Sequence, residues 1–311
     1  MKKHTNNNSI FLRWISGILK NKKAVTGVSI ILIFILTAVI GPLFTHDPNA
    51  FIGTPLSSPS YEHWLGTNGQ GQDVLSQTIL GSQQTLLVGF STGILVVIIG
   101  ALIGAISGYY GGRTDDFLSM IINIFLVMPG LPLMVILASW LPPGPFTLLG
   151  VLVLTGWAWN ARVIRSQMMS YRGRDFVSAA IVSGERNIRI IVIEIMPRML
   201  SLLASSFIGA SIYAIGAQVG LEFLGLGDVS AITWGTNLYW ASNDLALLTG
   251  SWWTFVPTGL SIALVSFGLT LINFGIDEVT NPRLISERNW RKYLPKSRLN
   301  NGITPVVRNN V

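Results

Sequence analysis

Six stretches of the chain are almost unbroken in apolar character: residues 24–44, 84–110, 117–140, 145–161, 199–221 and 254–276. An α-helix rises about 1.5 Å per residue, so roughly 20 apolar residues cross the roughly 30 Å of hydrocarbon in a bilayer. A helix also closes its own backbone hydrogen bonds, which lipid cannot do for it. The pattern therefore predicts an all-α integral membrane protein, a bundle of six transmembrane helices, with the fourth run the shortest.

The polar stretches between the runs are unequal. Residues 162–198 carry seven arginines and yet are too apolar for a solvated connection. Asp175 and Asn187 are placed to cap helices, Gly184 to end the first and Pro197 to stop the second. This spacing predicts two short helices sharing one apolar face at the membrane surface. A face of that kind fits a groove on a separate soluble protein.

Composition agrees with a bilayer, since half of the 311 residues are hydrophobic, 11% are charged and the mean hydropathy is +0.54. Too little polar surface is available to cover a soluble globule of this size. The placement of the 21 Lys and Arg residues adds sidedness: six precede the first run, one falls in 111–116, seven in 162–198 and seven after 276. None falls in 45–83, 141–144 or 222–253, where Asp47, Glu62, Asp73, Glu222, Asp228 and Asp244 lie. By the positive-inside rule the basic connections and both termini are cytoplasmic. The net charge of +7 thus belongs to membrane topology and not to nucleic acid. The expected organisation is a basic segment over 1–23, a six-span transmembrane domain over 24–276 containing the loop 162–198, and a cytoplasmic tail over 277–311.

The first run is longer than the about 7–15 residues of a signal-peptide core, and Gly41–Phe44 offers no cleavage pattern, so an uncleaved anchor is expected. Residues 4–9 form a polar tail, and residues 11–20 have helical apolar spacing suited to the inner interface. Residues 45–83, rich in Pro, Ser and Gly, predict an irregular cap over the outer face. In the second run Gly89 and Gly93, then Gly100, Gly104 and Gly108, recur every four residues and present a small-residue face for close helix packing. Pro129 and Pro132 free backbone carbonyls in the third run and predict a kink. Trp234, Trp240, Trp252 and Trp253 suit an aromatic interfacial belt or contacts from the outer loops.

Several chemistries find no support. There is no cysteine, no phosphate-binding G-x-x-x-x-G-K-[ST] loop and no H-E-x-x-H, and histidine occurs only at positions 4, 46 and 63. The six runs as drawn contain no Asp, Glu, Lys, Arg or His, so no ionisable group sits at depth to bind a coupling ion. The pattern describes a channel or carrier lobe driven from outside itself.

Ser178, Ala179, Ala180, Ile181, Gly184 and Pro197 resemble the E-A-A-x-x-x-G loop of the permease subunits of binding-protein-dependent ABC importers, with Ser178 in place of the glutamate. Trp159, Asn160, Arg162 and Arg165 resemble the approach to that loop. Residues 64–76, from Trp64 to Ser76, are similar to the L-G-T-D-x-x-G-R-D-V-L-S stretch of the dipeptide/oligopeptide/nickel group, with Asn68 and Gln72 departing from it. Asn281, Pro282, Arg283 and Leu284 resemble the D-P-R-L that follows the last span. The likeness runs essentially end to end and is to the C-type subunit. It implies a homologous second permease, two ATP-binding subunits docked on Asp175, Ser178, Ala179, Ala180, Ile181, Gly184 and Pro197, and an extracytoplasmic substrate-binding protein. ATP and magnesium would sit in those partners, with no cofactor in this chain. Peptide, oligosaccharide and nickel or metal-chelate cargoes stay open, as does a channel or exporter lobe of a different class.

Overall fold

The computed structural model describes residues 21–45, 47 and 50–280. The interfacial stretch 11–20, the polar tail and the motif at 281–284 lie outside the described residues, with most of the two terminal segments. Helix α1 (Lys22–Ile40) is capped by Asn21, whose side chain accepts the Lys23 N–H at 3.0 Å, and it ends in a tight turn at Gly41–Leu43.

Helix α2 (Val74–Tyr110) is 37 residues long and begins ten residues before the apolar run. Asp73 explains the early start, because its carboxylate accepts from both the N–H and the hydroxyl of Ser76 at 2.8 and 2.7 Å. The polar first turns are then buried in protein, with Gln77 Nε2 donating to Gln72 Oε1 at 3.1 Å.

The third run is not one helix. Helices α3 (Gly112–Val127) and α4 (Gly130–Trp140) meet at 84°. Met128 is extended (φ −64°, ψ 133°), as residues before proline are, and Pro129 has no N–H to continue the ladder. Among the described residues five helices are long and apolar enough to cross a membrane, or six if this bent pair counts as one span.

Helix α5 (Pro145–Arg172) outruns the fourth apolar stretch by eleven residues and carries Arg162 and Arg165 as helical residues, so the connection expected from residue 162 is much shorter. It leads to α6 (Asp175–Val182) and α7 (Asn187–Arg189). From α7 the chain passes through a π turn (Ile190–Ile195) and a 3-10 turn (Met196–Met199) straight into α8 (Leu200–Phe223). Pro197 therefore stops nothing. Its missing N–H is absorbed by the change of helical pitch around it. Helices α9 (Trp234–Asn243), α10 (Ala246–Thr249) and α11 (Val256–Thr280) follow within the described residues.

Helix α2 is the central post, packed along α5 on one side and α8 on the other, while α1 pairs with α11. The glycine stripe divides between these neighbours: Gly89 and Gly93 face Ile215 and Ser211 of α8, whereas Gly100, Gly104 and Gly108 face α5 between Asn160 and Met168. All five are buried inside the subunit. Gly27 and Gly275 do the same for α1 and α11, against Gly268 and Ala24. Asn21 Nδ2 donates to Glu278 Oε2 at 2.6 Å and Ser205 meets Asp277 at 3.5 Å, so the two described ends of the chain and the start of α8 share one end of the bundle.

Candidate functional site

At that same end, α6 and α7 hang beneath α2 and α5. The inner face of α6 and of the turns that follow α7 is anchored in one apolar cluster: Val177, Ile190, Ile195 and Met199 pack with Ala101, Ala105 and Tyr109 of α2 and with Ile164 and Met168 of α5. Fully burying side chains of this size contributes about 1.5–3 kcal/mol each, so the helix pair is fixed to the bundle and not tethered loosely. Tyr109 adds a hydrogen bond from its hydroxyl to Asn187 Oδ1 at 3.2 Å, and the Arg198 guanidinium lies 3.9 Å over the Phe176 ring.

The opposite face is open. Ile181, Val182 and Ile188 are 53, 88 and 72% exposed, next to Gly184 at φ +80°. Ser178 and Ala179 are exposed with them, while Ala180 is half-buried against the cluster. Pro197 is exposed at the far end of the segment. Two caps differ from expectation. Arg174 and Arg186 hold the N-cap positions; Asp175 lies one residue later, in the first turn, where its negative charge interacts favourably with the positive end of the helix dipole, and Asn187 accepts from Tyr109.

An ionic knot braces the site from above. Asp115 of α3 receives Arg165 Nε and Nη2 of α5, each at 2.5 Å, and the hydroxyl of Ser107 from α2 at 2.5 Å. Two parallel N–H donors onto one carboxylate fix orientation as well as distance. Sequence reasoning missed this knot, because Arg165 was counted in a connection and Asp115 in another, and only the long continuation of α5 brings them together.

At the other end, residues 51–73 are irregular, as expected, and are stitched to the later loop by Trp253 Nε1 donating to Thr67 O at 3.1 Å and by Gly69 N–H donating to Asp244 at 3.1 Å. Burial raises the Asp244 pKa above the ordinary carboxylate value, with the Gly69 N–H working against it. Trp234 departs from expectation: it is 0% exposed, its Nε1 donating to Thr78 O at 3.0 Å and its ring edge-on to Phe34, so it is core and not an outer contact. Trp240 donates to Val229 O at 3.0 Å beside a cavity of about 270 Å³, and Trp252 is 53% exposed. Glu222, placed at an outer end by the apolar pattern, is buried and accepts from Gln218 Nε2 at 2.9 Å and from Thr233 Oγ1 at 2.6 Å.

An apolar helical bundle with a firmly anchored helix pair at one end, its tip exposed and apolar, has the form of the membrane-embedded subunit of a transport complex. The chain belongs to the family of binding-protein-dependent transport system inner membrane components, whose model matches residues 100–286. Residues 14–61 also match the N-terminal TM domain of oligopeptide transport permease C. The oligopeptide transport system permease protein OppC of Bacillus subtilis is 31% identical over 268 residues, covering 85% of this chain and 87% of the relative. The dipeptide transport system permease protein DppC of Alkalihalophilus pseudofirmus is 33% identical over 271 residues, covering 86% and 88%. Among solved structures, a chain of the MetNI methionine ABC transporter in inward-facing conformations has the same fold, with a TM-score of 0.53 at 18% identity over 65% of this chain and 94% of that one.

Proposed function

We propose that this chain is the C-type permease subunit of an ABC importer for dipeptides or oligopeptides. It pairs with a homologous permease to enclose the path, receives cargo from an extracytoplasmic binding protein, and is driven by two ATP-binding subunits. The exposed Ile181, Val182 and Ile188 around the Gly184 turn carry this reading. Apolar side chains at a tip whose base is locked into α2 and α5 suit a contact that must transmit force. The peptide assignment is supported by the relatives, which are named for oligopeptides and dipeptides. The basic end is then cytoplasmic, with both termini there, in line with the positive-inside count and the pairing of Asn21 with Glu278.

The turn and the exposed face give the test. A Cβ at Gly184 meets nothing within 4 Å inside the subunit, so within this chain a substitution there acts through backbone strain. Gly184→Val in the assembled complex should reduce co-purification of the ATP-binding subunits and ATP-driven peptide uptake by about tenfold, whereas Gly184→Asn, which tolerates a left-handed turn, should restore most of both. Ala179→Trp should likewise weaken docking while leaving the permease pair intact. Undiminished association and uptake in Gly184→Val and Ala179→Trp together would refute the docking assignment.

A further inference from the structure

Within the bundle, α2, α5, α8 and the end of α3 enclose a cavity of about 550 Å³, inside the range of small-molecule sites. Thr92, Thr155, Asn160, Ser205, Ser206 and Tyr213 supply its polar lining, and among the described residues no Asp, Glu, Lys, Arg or His lines it. Asp277 reaches Ser205 at 3.5 Å from beyond that lining. Trp159 and Tyr213, 63 and 47% exposed, stand at its open side with Gly209.

One of these hydroxyls is unusual for a membrane helix. Thr155 satisfies its own by donating to Val151 O at 2.9 Å, the common solution in apolar surroundings. Thr92 is 1% exposed and its Oγ1 has no hydrogen-bond partner. Leaving a buried hydroxyl unsatisfied is costly, and a protein that only needed packing here would do better with valine. Hydroxyls, one carboxamide and two aromatic rings, without formal charge, match the alternating donors and acceptors of a peptide main chain and place no charged group opposite its side chains.

The geometry points to this cavity as a cargo subsite that holds the peptide main chain and is indifferent to side-chain charge. This rests on the importer reading above and goes beyond it by assigning the contact and its selectivity. Gly209 allows a direct test, because a Cβ there meets nothing within 4 Å and a longer side chain has room. Three tripeptides differing only at the middle position, Ala-Lys-Ala, Ala-Ala-Ala and Ala-Glu-Ala, are supplied at saturating concentration to the reconstituted complex with its binding protein.

Unaltered protein should carry all three at similar maximal rates. Gly209→Asp should raise the Lys-to-Glu rate ratio on the order of tenfold and Gly209→Lys should lower it by a similar factor, as expected for a charge facing cargo in a medium of intermediate dielectric. Gly209→Ala should leave the ratio alone. Thr92→Val, close to isosteric, should lower the maximal rate of all three peptides by about threefold to tenfold. If Gly209→Asp and Gly209→Lys alter all three rates equally, or leave the ratio unmoved, the cavity is filled by lipid or by the second permease and the subsite is refuted. Failure of the importer reading looks different: the unaltered complex would then retain no ATP-binding subunits and show no ATP-dependent peptide uptake.

Discussion

The contact between α2 and α5 makes a prediction whose size follows from the coordinates. A Cβ added at Gly104 would lie 2.6 Å from the Ala161 carbonyl oxygen and 2.9 Å from the Arg165 nitrogen, both backbone atoms that cannot rotate away. Ordinary contact begins at 3.4 Å, so α5 must retreat by about 0.8 Å at this level. A gap of that size forfeits roughly a quarter to a half of the attraction of each atom pair along the seam. Overpacking of this kind costs about 1–3 kcal/mol, offset in part by the roughly 0.5–1 kcal/mol that alanine gains over glycine within a helix. Gly150 of α5 and Gly259 of α11 have open space at their Cβ positions and supply the helix term alone. Unfolding in mixed micelles at increasing SDS fraction, followed by tryptophan fluorescence, should therefore show Gly104→Ala destabilised by about 1–2 kcal/mol, with Gly150→Ala and Gly259→Ala neutral or slightly stabilised. Equal shifts of the same sign in all three would mean that close approach at Gly104 is not what holds these helices together.

Two further outcomes follow from the polar contacts. Arg165→Lys keeps the charge but replaces a two-pronged donor with a single ammonium, and should lower stability by about 1–3 kcal/mol in the same assay and loosen α6, read as faster hydrogen exchange at residues 175–182; unchanged exchange there would separate the Asp115 knot from the helix pair. Asp244, its pKa raised by burial, binds a proton more tightly folded than unfolded, so stability should fall as pH rises from the unfolded value of about 3.9 through the higher folded one. Asp244→Asn removes that fall, and the variant should gain on the unaltered protein as pH increases through this window; a difference independent of pH would refute the assignment.

Much of this molecule is legible without coordinates because a spanning helix advertises itself locally. Length and apolarity over about 20 residues suffice to mark one. The helix pair was readable for the same reason, from Gly184, which the structure does hold at φ +80°, and from its apolar residues. What the chain's pattern leaves undecided is which side chains find each other across the bundle. Composition marked Trp234 as interfacial, and burial beneath Thr78 made it core. Pro197 looked like a stop, yet the changing pitch from Ile190 to Met199 carries the helix past it, whereas Pro129 breaks its run into two. The glycines every four residues announced close packing but not that α8 takes two and α5 three. Transfer from water to lipid is a sum over residues near one another in sequence, so sequence determines it. Pairings such as Asp115 with Arg165, fifty positions apart, depend on how the helices cross, and only the tertiary structure decides them.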